Sequence, residues 1–179
     1  MNLSLETIAS ALSGKAADFN MIHFRDISHD KGAPAHFWVT ISTGDNQYML
    51  LSIVTSQMSR LEKRYTAEGE EKALDSLVPL SISDFNGIAK PCVINCNETT
   101  LLSAKQLIDR IDKAYCSAKS KSCIEFIHCD RDFNSELKNR IVRAISDSPS
   151  VRPEVRENII KIQKILHVKE KGEVSNDPK

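Results

Sequence analysis

The chain has 179 residues, 41% of them hydrophobic and 27% charged, which fits one globular domain or one domain with an appendage. Its formal net charge is zero, which argues against a general nucleic-acid binder. No run of about 18 apolar residues predicts a transmembrane helix, and the N-terminus lacks the basic and apolar regions of a secretory signal, so we expect a cytoplasmic protein.

Cysteine usage agrees with a reducing compartment. The five cysteines form no CxxC pair, and no histidine pair follows them at zinc-finger spacing. We therefore expect free thiols, no metal site and no cofactor.

Charge is distributed unevenly along the chain. Residues 1–100 carry 8 Lys+Arg against 12 Asp+Glu, whereas residues 101–179 carry 16 against 12. A polyanion would have to bind at local basic clusters such as Arg60, Lys63 and Arg64. Such clusters are more often simply part of the solvent-exposed surface.

The first elements are a helix and a β-hairpin. "LETIASAL" places apolar residues on one helical face, and "MIHFRDI" predicts a short strand. The runs "HFWVTIS" and "QYMLLSIVT" flank "TGDN" and predict a hairpin over residues 36–55 that turns at residues 44–46. Alternation places Phe37, Val39 and Ile41 on one face and Trp38 with Thr40 on the other.

The middle of the chain predicts short strands and one helix. Residues 57–75 are charged and predict a loop or a short helix, and Pro79 makes "SLVPLSI" an edge strand. "PCVINC" and "TTLL" predict two more strands. Ser103, with Gln106 three residues later, predicts a capping box that opens a helix, and "CIEFIHC" predicts a late strand.

Helical periodicity over residues 134–147 and 153–167 predicts a helical hairpin packed on the sheet, and the polar tail from Lys169 predicts disorder. The pattern indicates an α+β fold with a mainly β core, built as a small antiparallel barrel. The expected division is a barrel core with its N-terminal helix over 1–128, the helical hairpin over 129–168 and a disordered tail over 169–179.

The hairpin and the segments after it resemble a known family. A basic residue opens the first strand, the second strand ends in Thr55-Ser56, and "KPCVIN" then precedes "ETTLLSAKQLIDRI". This order, over roughly residues 33–114, is similar to the PemK/MazF-like family of SH3-like barrels, which includes toxin endoribonucleases of toxin–antitoxin systems. The resemblance implies an SH3-like barrel and metal-independent cleavage of single-stranded RNA in a toxin–antitoxin or phage-defence system.

The resemblance also implies roles for residues. Thr55 and Ser56 match the hydroxyl pair that binds the scissile phosphate, and His36 stands where the family usually has Arg or Lys. Histidine can move protons near neutral pH, although it supplies no permanent charge. The remaining candidates are substrate-binding residues: Lys90, Arg60, Arg64 and Trp38.

Each candidate also has an ordinary structural explanation. His36 would be a solvent-facing histidine at a strand edge, and Thr55 with Ser56 would bond nearby backbone amides. Trp38 would be a core or dimer-interface residue, and Lys90 a solvated turn residue.

The sequence supports three hypotheses. The chain is an endoribonuclease, an inactive barrel that binds RNA or a protein, or an adaptor that docks a partner through residues 134–167. The expected partners are RNA, an antitoxin and a second copy of the chain in a homodimer, with no membrane association.

Overall fold

The computed structural model describes residues 5–12, 14–28, 34–54, 58–81, 83–85, 90–114 and 123–174. Six strands form one antiparallel sheet with the order β4-β5-β3-β2-β1-β6. The strands are β1 (Phe19–Phe24), β2 (His36–Ser42), β3 (Gln47–Val54), β4 (Leu77–Leu80), β5 (Cys92–Ser103) and β6 (Glu125–His128).

Helices cover the sheet. They are α1 (Leu5–Leu12), α2 (Met58–Ala67), α3 (Ala104–Arg110), α4 (Ser135–Asp147) and α5 (Pro153–Val174), with short 3-10 helices at Glu71–Ser76 and Asp130–Asp132. Within these described segments, no helix combines the length and apolar character that a membrane crossing requires. The α+β class with a mainly β core is confirmed.

The predicted hairpin is confirmed. β2 and β3 pair antiparallel, from Trp38 opposite Ser52 to Ser42 opposite Tyr48. Gly44 has φ +83°, and a Cβ at this position would lie 2.8 Å from the Cβ of Ala16. Backbone conformation and close approach therefore both require glycine at this turn.

Other sequence predictions hold or need adjustment. β4, which contains Pro79, is an edge strand, and Ser103 forms the expected capping box with Gln106. "PCVINC" and "TTLL" are parts of one strand, β5, because a register shift opposite β3 lets the strand continue through an irregularity. α5 continues through residues 169–174, where the polar composition predicts disorder, since Lys and Glu there favour a helix.

Both faces of the sheet are buried. On one face, α4 and α5 pack on the strands and form the main core, which includes Val39, Ile41 and Ile94. On the other face, Trp38 and Tyr48 pack with α1 and α3. A smaller cluster on α2 joins the first residues of β4 and β5.

The sheet curls into a half-barrel. Phe85, which follows β4, stacks against His128 of β6 with ring centroids 4.7 Å apart. Phe85 also meets Phe133 edge-on at 4.8 Å. These ring contacts bring the two ends of the strand order towards each other, while β4 and β6 remain the edge strands.

A buried ion pair joins the end of β1 to the end of α3. Asp26 is only 2% exposed and accepts a hydrogen bond from Arg110 Nε at 2.8 Å. Ser28 donates to the same carboxylate through its backbone N–H, and the Ile27 N–H donates to the Arg110 carbonyl at 2.7 Å. Burial alone would raise the pKa of Asp26, but the hydrogen bonds from Arg110 and Ser28 outweigh it and lower the pKa.

We predict that Asp26→Asn destabilises the protein by about 3 kcal/mol at pH 7, because it leaves Arg110 without its buried countercharge. The pKa of Asp26 is lowered on folding, so its stabilisation is present above the unfolded pKa of about 3.9 and is lost as pH falls through the folded pKa. Urea unfolding at pH 7 and pH 3 should therefore show a large difference between wild type and variant at pH 7 that shrinks at pH 3.

The matched control is Asp147→Asn, since Asp147 pairs with Arg143 at 3.8 Å and both side chains are largely exposed. This control should change stability by less than about 1 kcal/mol. Equal losses for the two variants would contradict a special role for the Asp26–Arg110 pair.

Candidate functional site at the open end of the hairpin

Strand register brings the start of β2, the end of β3 and the start of β5 to one end of the sheet. Extending the β2–β3 register by two positions places His36 level with Val54. Val54 in turn pairs with Val93 of β5, and Lys90 precedes that strand by two residues. Because neighbouring strands lie about 4.8 Å apart, the start of β2 and the start of β5 are about 10 Å apart. We call this edge the hairpin end.

His36 is half-buried at the start of β2, opposite Phe24 of β1. Trp38 lies two residues further along the same face, and its ring stacks on Phe24 with centroids 5.3 Å apart. Trp38 Nε1 also donates to the Phe24 carbonyl at 3.4 Å. Aromatic packing therefore fixes the strand that presents the imidazole.

Trp38 itself lies in the core. Its side chain belongs to the cluster that α1 and α3 cover, and only 4% of the residue is exposed. Base stacking needs an open ring face, so this position favours the core interpretation of Trp38 over the stacking one.

Thr55 and Ser56 lie outside the described residues. They directly follow Val54, the last residue of β3, in the sequence. Their assignment to phosphate binding therefore stays a prediction.

The two arginines of α2 differ. Arg60 is exposed on the first turn. Arg64 donates to Glu98 at 2.9 Å and to the Tyr65 hydroxyl at 2.9 Å, and its guanidinium lies over the Tyr65 ring. The hydrogen bond to Glu98 raises the pKa of Arg64, so the charge is permanent but already has a carboxylate partner.

Lys90 is exposed beside Pro91, at the start of the segment that leads into β5. Arg60 and Lys63 are further exposed cations among the described residues, on α2, which follows β3 in the chain.

The structure adds a histidine that the sequence patterns do not indicate. His23 Nδ1 lies 3.3 Å from Glu125 Oε2, and its ring lies 4.7 Å from the ring of Phe37. His23 is opposite Phe37 in the β1–β2 register, so it is close to His36 along the sheet but on the opposite face. No local signal could reveal this pair, since its members are 102 residues apart.

Other reactive groups in the described part of the chain lie elsewhere. Among these residues no three His, Cys, Asp or Glu side chains gather as a metal site would need. Burial strongly raises the pKa of the Cys96 thiol, which keeps it protonated in the main core. A groove of about 550 Å³ lies between α4 and α5, and none of the predicted site residues lines it.

We predict that Trp38→Ala destabilises the protein by about 3–5 kcal/mol, because it leaves a large cavity between β1, β2 and the α1–α3 layer. Phe37→Ala is the matched control, as this neighbouring aromatic residue is 36% exposed and should cost much less. Urea unfolding followed by circular dichroism measures both. If iodide or RNA strongly quenched the tryptophan emission of the wild type, that result would contradict the core position of Trp38.

In chemical terms the hairpin end combines a group that can transfer protons with exposed cations. Such an arrangement can bind a phosphodiester and move a proton near it. Neither a scan against protein-family models nor a search of curated proteins finds a match to this chain.

Proposed function

We propose that this protein is a metal-independent endoribonuclease that cleaves single-stranded RNA at the hairpin end, as an SH3-like barrel of the PemK/MazF-like kind. The observation that carries the proposal is the strand register. This register supports a single edge of the sheet that holds His36, the end of β3 just before Thr55-Ser56 and the segment that runs from Lys90 into β5. The curled antiparallel sheet supports the barrel assignment.

In this mechanism the ribose 2′-oxygen attacks the adjacent phosphorus and the bond to the 5′-oxygen breaks, which leaves a cyclic phosphate and a 5′-hydroxyl. Neutral His36 accepts the proton of the 2′-hydroxyl, and the imidazolium then donates a proton to the departing 5′-oxygen. Thr55 and Ser56 donate hydrogen bonds to the phosphoryl oxygens as their charge grows. Lys90, Arg60 and Arg64 contact the backbone of the RNA. Trp38 packs beneath the site and holds β2 in place.

The proposal includes the biological setting of the family. The chain acts in the cytoplasm in a toxin–antitoxin or phage-defence system, with an antitoxin as partner.

We predict that purified protein cleaves a short single-stranded RNA in excess EDTA at the rate seen with Mg²⁺ present, since the mechanism uses side chains alone. The products should carry a 2′,3′-cyclic phosphate and a 5′-hydroxyl, which mass spectrometry identifies. Loss of cleavage on chelation would assign the activity to a metal-dependent nuclease instead.

We predict that His36→Ala lowers the single-turnover cleavage rate by about 10²–10⁴-fold while RNA binding changes little, the range that a general acid–base group supplies. The wild-type rate should change between about pH 5 and pH 8, where histidine titrates. Thr55→Val should lower the rate without moving the pH profile, because it removes a hydrogen-bond donor.

His167→Ala is the matched control, since His167 is an exposed histidine on α5. It should keep the wild-type rate and profile. A wild-type profile that is flat from pH 6 to pH 8, with His36→Ala fully active, would remove His36 from the mechanism.

A second candidate is a barrel that binds RNA or a protein without cleaving. The pairing of Arg64 with Glu98 favours it, because one of the fixed cations near the site is already matched within the chain. RNA binding that Lys90→Ala and Arg60→Ala weaken, with no cleavage product at any pH, would select this candidate.

A further inference from the structure

Three cross-strand neighbours form a row on one face of the sheet, beside the hairpin end. His23 of β1 is paired in register with Phe37 of β2 on one side and with Glu125 of β6 on the other. Because residues that pair across antiparallel strands share a face, the three side chains lie on the same face of the sheet. We call this set the β1 row.

The β1 row lies on the face that α4 and α5 cover elsewhere. Met21 and Val39, each two positions from a member of the row along β1 and β2, point to the same face and belong to the main core. His23 and Phe37 lie outside that core cluster, and Phe37 is 36% exposed. The helical layer therefore ends before the row, and an aromatic ring remains accessible to solvent there.

Contacts within the row order its groups. The His23 ring lies 4.7 Å from the ring of Phe37, with the two planes inclined by 38°, and His23 Nδ1 lies 3.3 Å from Glu125 Oε2. The side chains of His23 and Glu125 are 28% and 39% exposed. An aromatic ring, an imidazole and a carboxylate thus follow one another across three strands, a distance of about 10 Å.

This order of groups suits a planar ligand with hydrogen-bond donors at one end. Aromatic and histidine side chains stack on the bases of single-stranded nucleic acid, while polar side chains contact the base edges. A purine that lies over the two rings directs one edge towards the carboxylate. An ionised carboxylate accepts hydrogen bonds and donates none, so it selects an edge that carries donors.

Guanine meets this requirement better than the other three bases. Its Watson–Crick edge carries two adjacent donors, N1–H and the 2-amino group, which the two oxygens of one carboxylate can accept together. Adenine and cytosine each place one amino group beside a ring nitrogen that accepts, and uracil places one N–H between two carbonyl oxygens. Those acceptors would face the negative charge of the carboxylate unfavourably.

An arginine side chain of a protein partner would also present two donors to the carboxylate, but the row favours a base. A guanidinium group covers one ring, whereas the two fused rings of a purine can cover both rings of the row. Any positive charge on the His23 imidazole would repel a guanidinium and would not repel a neutral base.

We propose that the β1 row is a binding site for a guanine base, with stacking on Phe37 and His23 and hydrogen bonds to Glu125. The base belongs either to single-stranded RNA or to a free guanine nucleotide. This inference does not depend on the proposed ribonuclease activity, because binding of a base requires no cleavage.

Binding of short 2′-O-methyl oligonucleotides to the full chain tests the proposal, because these RNA analogues lack the nucleophile that cleavage requires. Fluorescence anisotropy should show that an oligouridylate with one central guanine binds at least about 10-fold more tightly than the all-uridine chain. Adenine or cytosine at the same position should give intermediate affinity. Equal affinity for the guanine and uracil chains would overturn the proposal.

Two variants test whether the β1 row is the site. Glu125→Gln should remove most of the preference for guanine over uracil, because the amide keeps the size of the side chain but replaces one acceptor with a donor. Phe37→Ala should weaken binding of the guanine chain by about 10-fold, as loss of base stacking typically does. Both variants should keep the wild-type circular dichroism spectrum, since both side chains are partly exposed.

Glu157→Gln is the matched control, because Glu157 is an exposed glutamate on α5. It should leave the preference for guanine unchanged. A preference that survives Glu125→Gln would place the base elsewhere and would overturn the proposal.

Two competitors identify the source of the base. If guanosine monophosphate displaces the guanine chain at a similar concentration, the ligand is a free nucleotide. If the guanine chain binds at least about 10-fold more tightly than the nucleotide, the ligand is RNA, and both results support a guanine site. Displacement by acetyl-arginine amide but not by guanosine monophosphate would assign the row to a protein partner and overturn the proposal.

Discussion

The β2–β3 register is the constraint on which the rest of the structure depends. Since helices cover both faces of the sheet, every side chain of β2 beyond Phe37 is buried on one side or the other. A slip of one residue would exchange the two sets and push Trp38 towards α4 and α5. The positive φ of Gly44 and its contact with Ala16 fix the turn from which this register starts.

This register also determines what the hairpin end can be. A site formed where strands begin and end is placed by backbone pairing, so His36 and Lys90 lie at the same edge of the sheet. Aromatic packing of Trp38 on Phe24 then stiffens the strand behind His36. The buried ring of Trp38 thereby fixes the direction in which β2 leaves the core.

Much of the fold can be predicted from local sequence signals, because those signals act over a few residues. The turn at Gly44, the cap at Ser103 and the edge strand at Pro79 each depend on a local rule of backbone chemistry, and each is found as expected. The sequence pattern divides the long β5 in two because the polar pair Asn97 and Glu98 separates "PCVINC" from "TTLL". In the structure Asn97 is buried and hydrogen-bonded, with Nδ2 donating to the Ala73 carbonyl at 2.8 Å. Features that join distant segments have no such signal. The Asp26–Arg110 pair and the His23–Glu125 pair bring together residues 84 and 102 positions apart, so only the sheet topology reveals them.

The candidate site also could not be predicted fully from local sequence signals, since the pairing of Arg64 with Glu98 and the burial of Trp38 depend on tertiary contacts.

Under the proposed function, the charges at the hairpin end suit a site that acts on RNA more than one that holds it tightly. Each phosphate that a protein neutralises on single-stranded nucleic acid contributes about 0.7 to the slope of log affinity against log salt. With Arg64 already matched by Glu98, the other exposed fixed cations among the described residues of α2 and of the segment before β5 are Arg60, Lys63 and Lys90, which could neutralise about three phosphates. Ground-state attraction of that size is modest. An enzyme with such a site would gain its rate from groups that act as charge develops in the transition state, which are the imidazole and the hydroxyls. Weak substrate binding and effective cleavage are therefore compatible at this edge, and the zero net charge of the chain is no obstacle to a catalytic role.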